Sequence, residues 1–400
     1  MFGAYSPNQN ANLHVSKLAG RNVAMSVATD PMEWDPKTLA THGSVKFDDA
    51  LAEELCLLFY AEPHVHSDGT WFSNVISLAP NGFRGEYVLF SVAPGATETG
   101  APLQREIIAK IPSSGNRPSP VHNVILTEKY MIIAEIPYPI NVKGVMKAEF
   151  EWLLTGEYSG EITDYASWEP WRPTVFHVVD RHTGEVVAHR EAEAFFFFHT
   201  VNAYEKVDEA TGKVDVVVDL VAFKEPPRGF NLHEARSGSM EGWGGDGEGG
   251  QVKRFTLRDI GNEGPSTLNV GEPQVLLSKF DEPQVSPAAA RRPYKYCYGI
   301  ANEGMELILV KHNVETGETT RWAGQDRKRH MPWQPIYVQK PGSDVEDDGV
   351  LLCLTRDSSN NTSFVVVLDA HSFEELGKVW LPEGHHIPLH AHGMFQFKED

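Results

Sequence analysis

Four histidines stand in contexts that suit them to one metal ion: His64 in AEPHVHSDGT, His122 in SPVHNVILTEKY, His199 in AFFFFHTVNAYE and His392 in LHAHGMF. Neutral imidazole is a borderline donor suited to iron, copper, nickel and zinc. Separations of 58, 77 and 193 residues fit a fold that converges on a central axis. An isolated histidine in a β protein is ordinarily a hydrogen-bonded or surface residue, so the proposal requires that distant segments meet.

The segments around them read as strands. NVAMSVA, LCLLFYA, EYVLFSV, YMIIAEIP, TVFHVVD, VDVVVDLVAF, MELILVKHN, GVLLCLTR and SFVVVLDA are short, rich in Val, Ile, Phe and Tyr, and too brief for buried helices. RHTGEVV, DEATGKVD and NVETGETT each place a polar turn with a glycine between two such runs, the signature of a hairpin. Many short antiparallel strands predict a sandwich, a barrel or a propeller, and pattern alone does not choose among them. One helix is expected, over residues 144–156 (GVMKAEFEWLLTG), capping one end of the β body or touching lipid or substrate. Residues 237–250, SPAAARRP and PGSDVEDDG read as loops, and none resembles a domain linker, so residues 1–400 are expected to form a single domain. The PheX4 run at 195–198 reads as a strand buried on both faces, with alternate rings available to line a substrate tunnel.

Composition narrows the function. A formal net charge of −20 without any Lys/Arg cluster argues against a nucleic-acid partner. Cys56, Cys297 and Cys353 are widely spaced and form no CxxC pair, which predicts reduced core thiols and a cytoplasmic setting. The opening residues show no signal or transit pattern, and no apolar run approaches the ~20 residues of a spanning helix, so any membrane contact is expected to be peripheral. GxSxG and phosphate-loop motifs are absent, and the EDDG run lacks the alternating oxygen donors of a calcium loop.

Taken in order, the segments resemble the carotenoid cleavage oxygenase family. FHTVNAYE is similar to its central signature, HGMF to its closing His-Gly-x-Phe, and VHNVILTEKYMIIAEIP to its Val-His-Asp-x-x-x-Thr-x-x-Tyr strand; WDPKTLAT, RPYKYCYGIA, VEDDGVLL and FVVVLDAHSFEELGKVWLP match further segments. The likeness runs from about residue 8 to 396. It implies an all-β, seven-bladed β-propeller with a dome of loops over an axial Fe(2+), His122, His199 and His392 among the ligands, and outer carboxylates accepting the free ring N–H groups. The family's opening Gly-Asn-Gly-Pro and Asp-Gly-x-x-Met strand have no counterpart here, which leaves the expected propeller short of roughly a blade's worth of strands and its edges open to pairing.

Departures from the pattern fall on the metal shell. Where the family has Ala-His-Pro, this chain has Ala61-Glu62-Pro63, so either Glu62 completes the site or His64 or His66 swings in. A family glutamate falls on Val27, the family's Glu-Pro becomes Gln334-Pro335, and another outer carboxylate falls on Asp281 or Glu282. His385, His386 and His390 read as loop residues beside the last ligand. The resemblance implies an iron-dependent dioxygenase that cleaves a carbon–carbon double bond of a carotenoid, apocarotenoid or related conjugated substrate. The alternatives are a metal-impaired relative that binds a polyene or terpenoid, and an isomerase of such a substrate. Expected partners are dioxygen and a hydrophobic small molecule, with peripheral membrane contact and a homodimer compatible with the same reading.

Overall fold

A computed structural model describes residues 11, 13–26, 29–54, 56–58, 62–79, 84–155, 165–227, 249–261, 267–304, 306–322, 324, 329–360, 362–382, 385, 387 and 392–396. These residues form six sheets built from consecutive antiparallel strands. The first holds β1 (His14–Leu18), β2 (Arg21–Ser26), β3 (Thr29–Trp34) and β4 (Thr41–Ser44). The second holds β5 (Cys56–Leu58), β7 (Trp71–Ala79), β8 (Arg84–Val92) and β9 (Glu106–Pro112), with β6 (His64–Val65) paired on β7. The third holds β10 (Ile125–Leu126), β11 (Tyr130–Glu135), β12 (Thr174–Asp180) and β13 (Val186–Ala192). The fourth holds β14 (Phe196–Val207), β15 (Val214–Phe223), β16 (Gln251–Ile260) and β18 (Gln274–Ser278), while β17 (Thr267–Asn269) lies parallel on β13. The fifth holds β19 (Phe280–Gln284), β20 (Tyr296–Glu303), β21 (Glu306–Asn313) and β22 (Thr319–Trp322). The sixth holds β23 (His330–Gln339), β24 (Gly349–Asp357), β25 (Thr362–Asp369) and β26 (Glu375–Trp380).

The expected seventh blade is therefore a correction: among the described residues every strand except β6 and β17 belongs to one of six four-stranded meanders, and none remains for another. These residues pack into two compact units, one within 1–198 and 259–271, the other within 199–258 and 272–400.

Sheet-on-sheet packing follows from side-chain alternation. In the first unit, Val88, Phe90 and Val92 of β8 join Trp71 and Val75 of β7 against Leu18, Val23 and Met25. The intervening Tyr87 and Leu89, with Phe72 and Ile76, face Met131, Ile133 and Val179 of the third sheet. The second sheet is thus buried on both faces, which is why EYVLFSV reads as an unbroken apolar run. In the second unit, Tyr298, Ile300 and Leu309 pack on Tyr337, Leu351, Phe364, Val366 and Leu368.

A repeated turn sets the register of the hairpins. Asp180, Asp208 and Asn313 each accept two backbone N–H bonds through Oδ1, and each backbone oxygen accepts from a glycine four residues on. Those glycines, Gly184, Gly212 and Gly317, have φ of 75, 68 and 77 degrees, left-handed values that glycine adopts without a Cβ clash. Asp369 builds the same turn with Phe373 in the glycine position at φ 62 degrees. Phe373 is buried and stacks on Tyr298, a contact that offsets the backbone cost.

The helix α1 covers Val142–Thr155, two residues earlier than expected at its start. It buries Val142 and Val145 against the second and third sheets and leaves Phe150 and Leu154 exposed. No helix among the described residues is long and apolar enough to cross a membrane. Residues 237–248 of the expected Gly-rich loop lie outside the described residues.

Candidate metal centre

Different local devices deliver the candidate donors, one shared by Glu62 and His122 and others at His199 and His392. Glu62 sits just before β6 and forms an isolated parallel bridge with Asn123; His122 immediately precedes that bridge partner, ahead of β10. Asn123 Nδ2 donates to Glu62 Oε2 at 2.9 Å, so the carboxylate and the neighbouring imidazole are fastened through one rung. The His122 ring stands edge-on to Phe198, with centroids 5.2 Å apart. Phe196 packs on Phe198 and on Tyr138, while Phe195 and Phe197 pack together and Phe195 also meets Phe176. The phenylalanine run thus divides by alternation: its even members make the apolar surroundings of His122, and its odd members belong to the sheet core.

His199 and His392 have different support. His199, in the middle of β14, carries its proton on Nδ1 and donates to Asp281 Oδ1 at 2.6 Å. His392 Nδ1 donates to Gln334 Oε1 at 3.2 Å and also lies 3.5 Å from Glu282 Oε2. The two rings are buried and meet edge to face with centroids 5.2 Å apart. Fixing a proton on Nδ1 leaves Nε2 as the electron-pair donor, which is how an outer oxygen prepares an imidazole for a metal.

Asp281 and Glu282 are consecutive, and consecutive strand residues ordinarily face opposite sides. A register shift between Asp281 and Gln284 and the left-handed φ of 55 degrees at Glu282 break that rule, so both carboxylates serve imidazoles. Asp281 Oδ1 also accepts the Glu282 N–H at 2.8 Å. Gly299 on the facing strand permits the bulge: a Cβ there would come within 2.7 Å of the Asp281 carbonyl oxygen.

Glu62, His122, His199 and His392 each offer one ligand atom, and these atoms all lie within 4.8 Å of one another. His64 is not among them; its Nε2 is bonded to the Val124 carbonyl at 2.6 Å. His66 is engaged by Asp68 and Glu128, at 3.3 and 3.8 Å. His385 is an exposed turn residue, while Val27, His386 and His390 lie outside the described residues. Three imidazoles and a carboxylate suit a borderline divalent ion that accepts both nitrogen and oxygen donors, such as iron(II), and fit poorly the all-oxygen shells of calcium or magnesium.

Sequence reading did not single out Asn123 as the partner of Glu62, although its place beside His122 was a usable signal. It also missed His14, whose imidazole burial holds below its usual range, opposed by the Glu62 carboxylate. The three cysteines are free and buried; burial pushes the Cys56 and Cys353 thiols up to about 12, so they are poor nucleophiles.

The family model described as retinal pigment epithelial membrane protein matches residues 3–396. The chain belongs to this family, the carotenoid cleavage oxygenases. Among family relatives it is 26% identical to carotenoid cleavage dioxygenase 8, chloroplastic, of Arabidopsis thaliana over 98% of this chain and 65% of the relative. It is 27% identical to the apocarotenoid-15,15'-oxygenase of Synechocystis over 96% of this chain and 72% of the relative. The chain therefore spans just under two thirds of the plant family member's length. Its fold matches a mutant of the Synechocystis apocarotenoid oxygenase at a TM-score of 0.68, with 22% identity, covering 96% of this chain and 73% of the other. A cobalt-substituted form of the Synechocystis protein matches at 0.66, with 21% identity and coverage of 96% and 74%. The architecture is accordingly an all-β propeller of this family, with six sheets among the described residues.

Proposed function

We propose that the protein is a non-haem iron(II) dioxygenase that splits a carbon–carbon double bond of a carotenoid, apocarotenoid or related conjugated substrate, consuming one dioxygen and yielding two carbonyl products. The observation that carries this reading is the convergence of Glu62, His122, His199 and His392 within 4.8 Å, in a chain of the carotenoid cleavage oxygenase family. The names of the Arabidopsis and Synechocystis relatives supply the substrate class.

Those four residues would hold iron(II), and the chemistry it would supply when bound is the activation of dioxygen. The protein's own contribution is orientation. Asp281 and Gln334 fix the rings of His199 and His392 in the tautomer that presents Nε2, and Glu282 adds negative charge near His392. Phe196, Phe198 and Tyr138 keep the His122 side apolar, which favours an oily alkene over a charged ligand. With a carboxylate in place of one imidazole, the donor set carries a charge that offsets part of what the neutral Gln334 lacks.

Purified protein loaded with iron(II) and incubated with a β-apocarotenal or resveratrol tests the activity. Oxygen uptake matched by two carbonyl fragments is the expected result. Conversion without oxygen uptake would replace the oxygenase reading with an isomerase, and binding without conversion would leave a polyene carrier. For the ligand set, Glu62→Ala is expected to lose iron, and unchanged iron content in that variant would remove Glu62 from it.

A further inference from the structure

Two departures from the family motif touch each other. The motif has histidine where this chain has Glu62 and aspartate where it has Asn123, and the two residues pair across a backbone bridge with Asn123 Nδ2 donating to Glu62 Oε2 at 2.9 Å. Resting on the reading of Glu62 as a metal donor, we propose that Asn123 is the positioning residue for that donor, and that Glu62 and Asn123 are one coupled exchange in which hydrogen-bond polarity is reversed.

The physical argument starts from donors and acceptors. An imidazole beside an aspartate can supply the N–H while the carboxylate accepts. A carboxylate at position 62 can only accept, so its neighbour has to donate, and an amide does. The formal charge of the pair is the same in both arrangements, one negative, but here it has moved from the outer residue to the residue that would touch the metal. Aspartate at 123 beside Glu62 would instead set two carboxylates at hydrogen-bond distance with nothing to donate between them.

The orientation of the Asn123 side chain agrees with this role. Asn123 is 6% exposed, and its Oδ1 is buried with no hydrogen-bond partner among the described residues. A buried amide that leaves its oxygen unsatisfied is costly, and the opposite orientation would satisfy nothing at Glu62 while pressing oxygen against oxygen. The bond to Glu62 therefore decides which way the amide faces. Because His122 is the preceding residue, the same rung ties two candidate ligands to one backbone contact, and an error at 123 would be felt at both.

Cobalt(II) titration of the purified protein, followed by visible absorption and by competition with a chelator, separates the outcomes. Asn123→Asp is expected to weaken cobalt binding by at least about tenfold, the usual effect of losing an outer partner. Asn123→Ala should weaken it less, since it removes the donor without adding a charge. Glu62→His alone should also bind more weakly, whereas Glu62→His combined with Asn123→Asp should return to within about twofold of the wild-type affinity. Recovery in the double variant shows that the single variants do not simply fail to fold. A His199-dependent cobalt spectrum together with Asn123→Asp binding as well as wild type would overturn this inference alone. A double variant no better than Asn123→Asp would overturn it equally. A wild-type spectrum indifferent to His199→Ala would overturn the metal reading itself.

Discussion

The two halves of the proposed donor set are built by opposite strategies. His199 and His392 are imidazoles held from outside by oxygen acceptors, Asp281 at 2.6 Å and Gln334 at 3.2 Å. Glu62 is an acceptor held from outside by an amide donor, and its neighbour His122 is surrounded by aromatic rings. Under the proposed ligand set, the difference is that the chemistry of one donor changes together with that of the partner behind it, an acceptor behind each imidazole and a donor behind the carboxylate. On the His199 side the backbone does the work, through a bulge that turns two consecutive carboxylates toward imidazoles. On the Glu62 side a single side-chain hydrogen bond does it.

The largest effect should come from removing a donor outright. His199→Ala is expected to reduce bound iron, measured on purified protein, to background; retention of a full equivalent would break the comparison by showing that the His199 half is dispensable. A control outside both halves is Trp71, fully buried between the first and second sheets, where Trp71→Ala should cost about 3–5 kcal/mol in denaturant unfolding. Iron content per folded protein should remain unchanged in that variant.

Partners behind the rings should matter less than the rings, and unequally. Asp281→Asn is expected to weaken metal binding about 10–100-fold, and Gln334→Ala by less, because a charged acceptor makes the stronger bond. Equal losses would mean that the neutral Gln334 holds His392 as firmly as Asp281 holds His199, with no support from Glu282 3.5 Å away. The smallest effect expected is on acid stability, remote from the metal. Burial alone would raise the Asp347 carboxyl, but the hydrogen bond and charge of Lys311 prevail and hold it below its usual range. A folded-state value below the unfolded one gives stability that is present above the unfolded pKa and fades as pH falls through the lower folded one. Lys311→Met should therefore flatten the acid limb of an unfolding-versus-pH curve below about pH 4 while leaving iron binding at neutral pH unaltered.

Much of the fold was legible because strands announce themselves locally. TVFHVVD and VDVVVDLVAF coincide with β12 and β15, and the three Gly-bearing turns close as hairpins by one hydrogen-bond scheme. Phe373 shows where local reading ends, since nothing in its neighbourhood marks a left-handed residue, and only the Tyr298 ring it meets on the neighbouring sheet explains it. The number of blades differs from the expected seven for a related reason: the motif order carries the family's architecture, whereas the six sheets among the described residues depend on which strands this chain pairs.

The amino-acid order alone determined the strand inventory, the buried thiols and the candidacy of His122, His199 and His392, because residue type and periodicity are local properties. Only the tertiary structure places Glu62 rather than His64 in the cluster of candidate donor atoms, sets Asp281 and Glu282 beside the His199 and His392 rings, and joins Glu62 to Asn123. Those outcomes depend on side-chain directions across tens of residues, set by one bulge and one bridge, and no spacing in the chain encodes a direction.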